Sequence, residues 1–421
     1  MVAAAAAAVY GRGAGAYFFD DDFQWLVGTW SFRLADLFDL EHRTHFYRPV
    51  IELYFAGATP LFGGSPACFH VANICLHAAN GAILLALTRA LSGSHALAFL
   101  AALFFVVQPA DVDAITWVSA LAEAVSAFFG CLCLLWFLHG RRRRERRWQV
   151  LSVAAFSLAL LTHESSVVFF LLLVLLAWAD PWQPAEHAHR AGWPSRVSAF
   201  VPYAVPLAAY LAVDLWINSR NYLVVEGHYA IGFHAFTNLL DYIVAMWVGK
   251  GSVPIYVLLT AALIAMLLRG SRRVVFATAW LLVALLPFVF FKWDNTARYL
   301  YLPAMAFSML VAEGVLQIDR RVGSRLTARP RRMLVAILTM AIAGRFAWFA
   351  AANVRSFAAR TEEYRTYIAT FRQIHGDLPP HSRVPPDPRL RSDHPAALLN
   401  ALVQWEYRDP TIELIAGEPA P

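Results

Sequence analysis

Long apolar runs, broken by short polar connections, dominate this chain. The clearest occupy 71–88, 165–179, 253–268, 274–291 and 333–354. Runs of this length and purity, repeated along a sequence, predict helices that cross a bilayer. The polar connections orient the set. Six arginines crowd HGRRRRERRW at 139–148, six more lie in DRRVGSRLTARPRR at 319–332, and Arg269, Arg272 and Arg273 fill a third connection. The positive-inside rule places all three on the cytoplasmic side.

With those connections held inside, the pattern predicts spans at 68–90, 94–108, 114–138, 148–162, 166–179, 199–217, 253–269, 274–291, 299–317 and 332–350. Every arginine-rich connection then falls on one face, so the parity is self-consistent. A polar loop with His187, His189, Arg190 and Arg196 lies inside, and 218–252 stays outside with an interfacial helix near 236–249. The opening MVAAAAAAVYGRGAGAYFF contains Arg12 and three glycines. It is neither a signal peptide nor a good anchor and reads as a short or truncated helix over 1–19, an eleventh at most.

Beyond 350 the chain turns polar. Val354, Phe357, Tyr364, Tyr367, Ile368, Phe371 and Ile374 recur at helical spacing, which predicts an amphipathic helix along the outer surface. LPPHSRVPPDPRLRSDHP cannot continue a helix, and a short final helix is expected near 396–407. No repeat of about 20–50 residues is visible. The organisation expected is a short first helix (1–19), a first external loop (20–67), a multi-helix transmembrane domain (68–350) and an external tail (351–421).

Composition agrees. Of 421 residues, 59% are hydrophobic and 15% charged, well outside the range of soluble domains. The net charge of +6 comes from arginines that set topology, so it does not indicate nucleic-acid binding. Cys68, Cys75, Cys131 and Cys133 lie in or beside apolar segments without metal-ligand spacing and read as packing residues.

The chemistry collects on the outer face. There the topology places Asp20, Asp21, Asp22, Arg48, His70, Asp111, Asp113, His163, Glu164, Lys292, Asp294 and Arg298, together with Lys250, the only other lysine. Ionisable groups at membrane depth are costly and mark a function or a partner. Each also has a plain structural reading: Asp triplets cap helices, Asp111 and Asp113 follow Pro109 at a helix start, and His163 and Glu164 sit in a turn. Closely packed carboxylates can hold a divalent cation or supply a general base. Facing arginines and a lysine can bind phosphate. The combination suggests group transfer from a lipid phosphate.

YFFDDDFQWL, FYRPVIEL (46–53), FHVANICLH (69–77), FFVVQPADVDAITWVSALAE (104–123), LLTHESS (160–166) and ARYLYLPAMAF (297–307) resemble, as an ordered set over about 20–315, the GT-C membrane glycosyltransferases. The nearest likeness is to the transmembrane O-mannosyltransferases whose other members carry C-terminal TPR repeats; no such tail follows here. The resemblance implies an all-α GT-C-like bundle with a catalytic first external loop. It implies inverting transfer of mannose or another hexose from a polyprenyl-phosphate donor to an acceptor hydroxyl on protein, lipid or glycan. In the matching positions Asp21 is the base and Asp22 its partner, spaced to Leu26, with Asp20 an extra. Asp111 or Asp113 takes the second-loop acidic position, His163 and Glu164 take the lysine–glutamate position, and Arg298 to Tyr301 take the Arg-Tyr-Leu-Tyr segment, with Tyr299 beside the donor.

The departures are Gln108 for a histidine, Leu121 for an arginine two before Glu123, His163 for a lysine and Ala297 for an acid. With two positive charges missing, Lys292, Arg298 and Arg48 would hold the donor phosphate. His70 is a supporting residue, and a divalent cation (Mg or Mn), if used, would fall to Asp22 and Asp113. Two other classes remain open at this point: a transporter or flippase of a polyprenyl-linked glycan, and a catalytically silent glycolipid-binding relative. Richness in alanine and arginine with almost no lysine suggests a GC-rich bacterial genome, hence an inner-membrane protein with its site facing the periplasm.

Overall fold

The computed structural model describes residues 1–41, 46–179, 198–247, 249–292, 297–323, 326–385 and 394–415. Asp294 and the loop carrying His187, His189, Arg190 and Arg196 lie outside the described residues. The described residues are mostly helical: α1 (Val2–Tyr10), α2 (Asp22–Gly28), α3 (Pro49–Phe62), α4 (Pro66–Ser92), α5 (His95–Val106), α6 (Val112–Thr116), α7 (Leu121–Arg143), α8 (Arg146–Leu160) and α9 (Val168–Ala179) come first. Then follow α10 (Val201–Asn218), α11 (Tyr222–Val225), α12 (His234–Ala245), α13 (Val253–Arg269), α14 (Arg272–Leu285), α15 (Tyr301–Val322), α16 (Ala328–His375) and α17 (Ala396–Tyr407).

Each of the ten predicted spans falls on a helix, and the protein is a polytopic membrane protein. By length and composition, five of the described helices can cross a bilayer, or six when the bent α5–α6 pair counts as one span. Sequence punctuation sets several ends. Gly93 closes α4 in the left-handed region (φ 66°), where a side chain would be strained, and its N–H returns to Arg89 O at 2.8 Å. Gly63 ends α3 in the same way (φ 59°), and Pro49 and Pro66 occupy first helical turns, where a missing N–H costs nothing.

Three differences from the predicted spans shape the site. The predicted span at 114–138 begins at Leu121 instead. A turn at 117–120 precedes it, and α5 bends by 47° into the segment before that turn. The span predicted to 291 stops at Leu285, because Pro287 disfavours helical backbone at the residue before it. The third concerns the tail: α16 runs unbroken for 48 residues, about 70 Å of helix against a hydrocarbon core of about 30 Å. It therefore projects out of the bilayer rather than bending to lie along it.

The projecting half of α16 explains its apolar stripe. Tyr364, Ile368 and Phe371 are buried in an external core with Phe18, Phe23 and Leu26 of the first loop, Ile51 and Phe55 of α3, and Leu399, Leu402 and Val403 of α17. A parallel two-residue pairing, Arg383–Val384 with Glu413–Leu414, closes this cap. A separate and larger apolar core fills the bundle below. The two ends of the chain thus build one cap over one end of the bundle, with the aspartate triplet where cap and bundle meet.

Candidate active site

The triplet is held by its aromatic neighbours. Phe18 packs edge-on against Phe23 and Phe69, while Phe19 packs against Trp117, Phe357 and Tyr364. Asp20 takes a left-handed conformation (φ 52°), which Asp tolerates better than most residues, and α2 starts immediately afterwards. That sharp reversal separates two adjacent carboxylates. Asp22 is fully buried; its Oδ2 accepts the Phe19 N–H at 2.9 Å and its Oδ1 the Ser119 N–H at 2.7 Å. Asp21 instead accepts from the Ser119 hydroxyl and lines a cavity of about 1140 Å³. Burial raises the Asp21 carboxyl above its ordinary range, while the hydrogen bond from Ser119 and the charges of Arg298 and Arg48 act in the opposite direction.

Arg48 enters from the N-cap of α3. Its Nε donates to Glu164 Oε2 at 2.9 Å and its Nη2 to Oε1 at 2.6 Å, and its guanidinium lies 4.3 Å from the centre of the Phe46 ring. His163 stands beside this pair, with Nε2 3.1 Å from Arg48 Nη2 and 3.3 Å from Glu123 Oε1. Burial lowers the His163 pKa to about 3, with Arg48 and Arg298 adding to the effect against the opposing pull of Glu164. This imidazole is therefore neutral at physiological pH. Burial works against the charge of Glu164, but the charge and hydrogen bonds of Arg48 outweigh it and hold the carboxyl at about 2.

Arg298 completes the polar wall. It lies in the turn before α15, 4.7 Å over the Trp117 ring and 5.2 Å from the Tyr299 ring. Tyr299 stacks on Phe288 at 4.4 Å and on Phe291 at 5.6 Å. The lining also carries a large apolar share: Val168 and Leu171 of α9, Leu211 and Leu215 of α10, and Leu286, Pro287, Phe288 and Phe290 after α14. The helix break at Pro287 delivers those last side chains to the cavity. The result is a chamber lined by both carboxylates and guanidinium groups and by aliphatic and aromatic groups.

Of the residues proposed from sequence, Asp21, Arg48, His163, Glu164, Arg298 and Tyr299 share this cavity. The others stand apart from its lining. Asp22 braces the loop, Asp111 and His70 are buried elsewhere, and Asp113 faces Arg360 at 3.6 Å. Lys292 is exposed, and its backbone N–H donates to His228 O at 2.9 Å. Asp22 and Asp113 therefore do not form a cation site: the former has both oxygens on backbone N–H groups, the latter faces an arginine, and neither lines the cavity. Among the described residues no group of three or more His, Cys, Asp or Glu side chains is arranged around a common metal position.

Glu123 and Ser119 are two polar residues of the site that were not among the candidates proposed from sequence. Glu123 is only 6% exposed, lies in the first turn of α7 and lines the cavity. An acid in the first turn of an otherwise apolar span was the available signal. Ser119 had none, because a serine in a turn is unremarkable until its two partners are known.

The chain is a polytopic membrane protein with a GT-C-like fold. The solved structures it is similar to include ArnT from Cupriavidus metallidurans bound to undecaprenyl phosphate, at a TM-score of 0.55 and 13% identity over 97% of this chain and 84% of that one. The apo state of the same ArnT matches at 0.52 and 14% identity, with the same coverage. The Archaeoglobus fulgidus oligosaccharyltransferase, tethered to an acceptor peptide containing the NVT sequon, matches at 0.51 and 11% identity over 89% of this chain and 57% of that one. At such identities the likeness is one of fold. No protein-family model and no curated protein matches the sequence.

Proposed function

We propose that this protein is a membrane glycosyltransferase that moves a sugar, mannose or another hexose, from a polyprenyl-phosphate donor to an acceptor hydroxyl at the outer face. The observation that carries the reading is that Asp21, Arg48 and Arg298 line one chamber whose lining is otherwise largely apolar. An isoprenoid chain suits the apolar lining, and a phosphate suits the guanidinium groups. The ArnT structure with bound undecaprenyl phosphate supports a donor of this type.

In this mechanism the Asp21 carboxylate takes the proton from the acceptor hydroxyl as its oxygen attacks the anomeric carbon. The bond from that carbon to the phosphate oxygen breaks, and its electron pair leaves with the phosphate. Arg298 offsets the charge that develops there, a role that grows in the transition state, and Arg48 adds to the positive field while fixed by Glu164. Attack opposite the departing phosphate inverts the anomeric centre. Ser119 holds the base in position, and neutral His163 stabilises the arrangement of Arg48 and Glu123.

The test is Asp21→Asn in proteoliposomes, with a radiolabelled hexosyl polyprenyl phosphate as donor. Sugar transfer should vanish while membrane insertion and melting temperature persist. Full transfer in that variant overturns the assignment.

A further inference from the structure

The far end of α7 holds a second pocket. That helix is 23 residues long, so its last turn lies about 35 Å from the Glu123 end, on the arginine-rich face. There the α7–α8 hairpin and the start of α10 enclose a pocket of about 400 Å³ lined by Phe137, Arg141, Arg144, Arg146, Gln149 and Tyr203, among others. Its apolar side is a built wall. Phe137 packs against Phe200 and Tyr203, and the Tyr203 hydroxyl donates to Ser152 Oγ at 2.8 Å, which in turn donates to Cys133 O at 2.8 Å.

The six arginines of this hairpin divide into two sets. Arg142 donates to Ala90 O at 2.7 Å, Arg143 lies over the Trp148 ring, and Arg147 both covers that ring and pairs with Glu145 at 2.5 Å. These three have protein partners and do not line the pocket. Arg141, Arg144 and Arg146 do line it. Among the described residues none of the three has an ion pair, and the one contact is Arg141 over the Phe137 ring at 5.7 Å. The pocket's own acid, Glu145, is already neutralised by Arg147. A topology signal would need only the charge. It would not need the three arginines without carboxylate partners to share one amphipathic pocket.

We propose that this pocket binds a phosphate group, carried by an anionic phospholipid of the adjacent leaflet. Guanidinium groups match phosphate oxygens in two-pronged geometry, and the aromatic wall gives the glycerol and upper acyl segment an apolar surface that a free anion cannot use. The site is independent of the transfer chemistry at Asp21.

The test uses the purified full chain, delipidated in detergent and titrated with phosphatidylglycerol, with bound lipid counted by native mass spectrometry. Arg144→Gln with Arg146→Gln is compared with Arg329→Gln and Arg332→Gln, which remove equal charge from exposed positions outside the pocket. The expected result is one saturable lipid, held about tenfold more weakly by the pocket variant than by the control, the value of one charge-assisted pair. Melting temperatures should be unchanged in both. Equal weakening in the two variants, or no saturable lipid in the wild type, overturns the proposal. Inorganic phosphate that binds as tightly as the lipid and displaces it overturns the lipid source and leaves a soluble phosphate as the ligand.

Discussion

Arg48 and Glu164 lie 116 positions apart and are joined by two hydrogen bonds of 2.9 and 2.6 Å. The pair ties the first external loop to the turn before α9, and it presents a guanidinium plane at the chamber wall. A lysine keeps the charge but cannot reproduce the fork. Arg48→Lys is therefore expected to cut transfer by about 10- to 100-fold, the value of a charge-assisted bond, with a small change in melting temperature because both groups retain some solvent contact. Initial rates beside thermal melts check this; unchanged rates would remove Arg48 from the mechanism.

The same pair makes a prediction about acid stability. Glu164 is held at about 2, below its ordinary 4.5, because the charge and hydrogen bonds of Arg48 outweigh the effect of burial. A carboxyl with a depressed folded-state pKa stabilises the fold above its unfolded value, and that stabilisation is lost as pH falls toward the folded value. Glu164→Gln should melt below the wild type at neutral pH, and the gap should close between pH 4.5 and 2. Scanning calorimetry over that window decides it, and a gap independent of pH counts against the pairing.

Asp21 predicts the acid limb of the activity profile. Burial raises its carboxyl, so the rate should fall with acidification at a pH above that of an ordinary aspartate. The Ser119 hydroxyl favours the charged form. Ser119→Ala should therefore shift the limb further upward, and pH–rate profiles of the two proteins would reveal it. Coincident limbs would separate Asp21 from the rate.

Asp22 should behave differently from its neighbour. Both its oxygens accept backbone N–H groups, and an asparagine can offer only one acceptor. Asp22→Asn should lower stability by about 1–3 kcal/mol, with the transfer rate declining in step with the folded fraction. Denaturant unfolding measures the first and a folded-fraction-normalised assay the second.

Close helix packing beneath the site gives the last prediction. A Cβ at Gly130 would meet the Phe169 ring at 1.9 Å, and that ring is fully buried. Gly130→Ala should force α7 and α9 apart and cost about 1–3 kcal/mol. A thermal melt equal to the wild type would show that the ring can move aside.

Much of the architecture was legible in the residues. Hydropathy reports a transfer free energy that each segment carries by itself, so the ten helical segments and their order follow from local composition. The final helix at 396–407 was legible for the same reason. The breaks were not: 117–120 and 286–291 are as apolar as the helices they interrupt, and composition does not distinguish helical from non-helical backbone. The stripe of α16 was correctly read as amphipathic, yet its partner proved to be the first loop and α17, since periodicity reveals a buried face without saying what buries it.

For the site, the limit is sharper. Asp21 and Asp22 are chemically identical and adjacent, and nothing in their local pattern says which one is braced and which faces the chamber. That division rests on Ser119, 97 and 98 positions away, as the placing of Arg48 rests on Glu164 at 116. Local composition is enough to establish a many-helix membrane protein with carboxylates and arginines between its helices. Which of them meet depends on the packed bundle, because hydrogen bonds and ion pairs act over a few ångströms between segments whose proximity exists only once the bundle has packed.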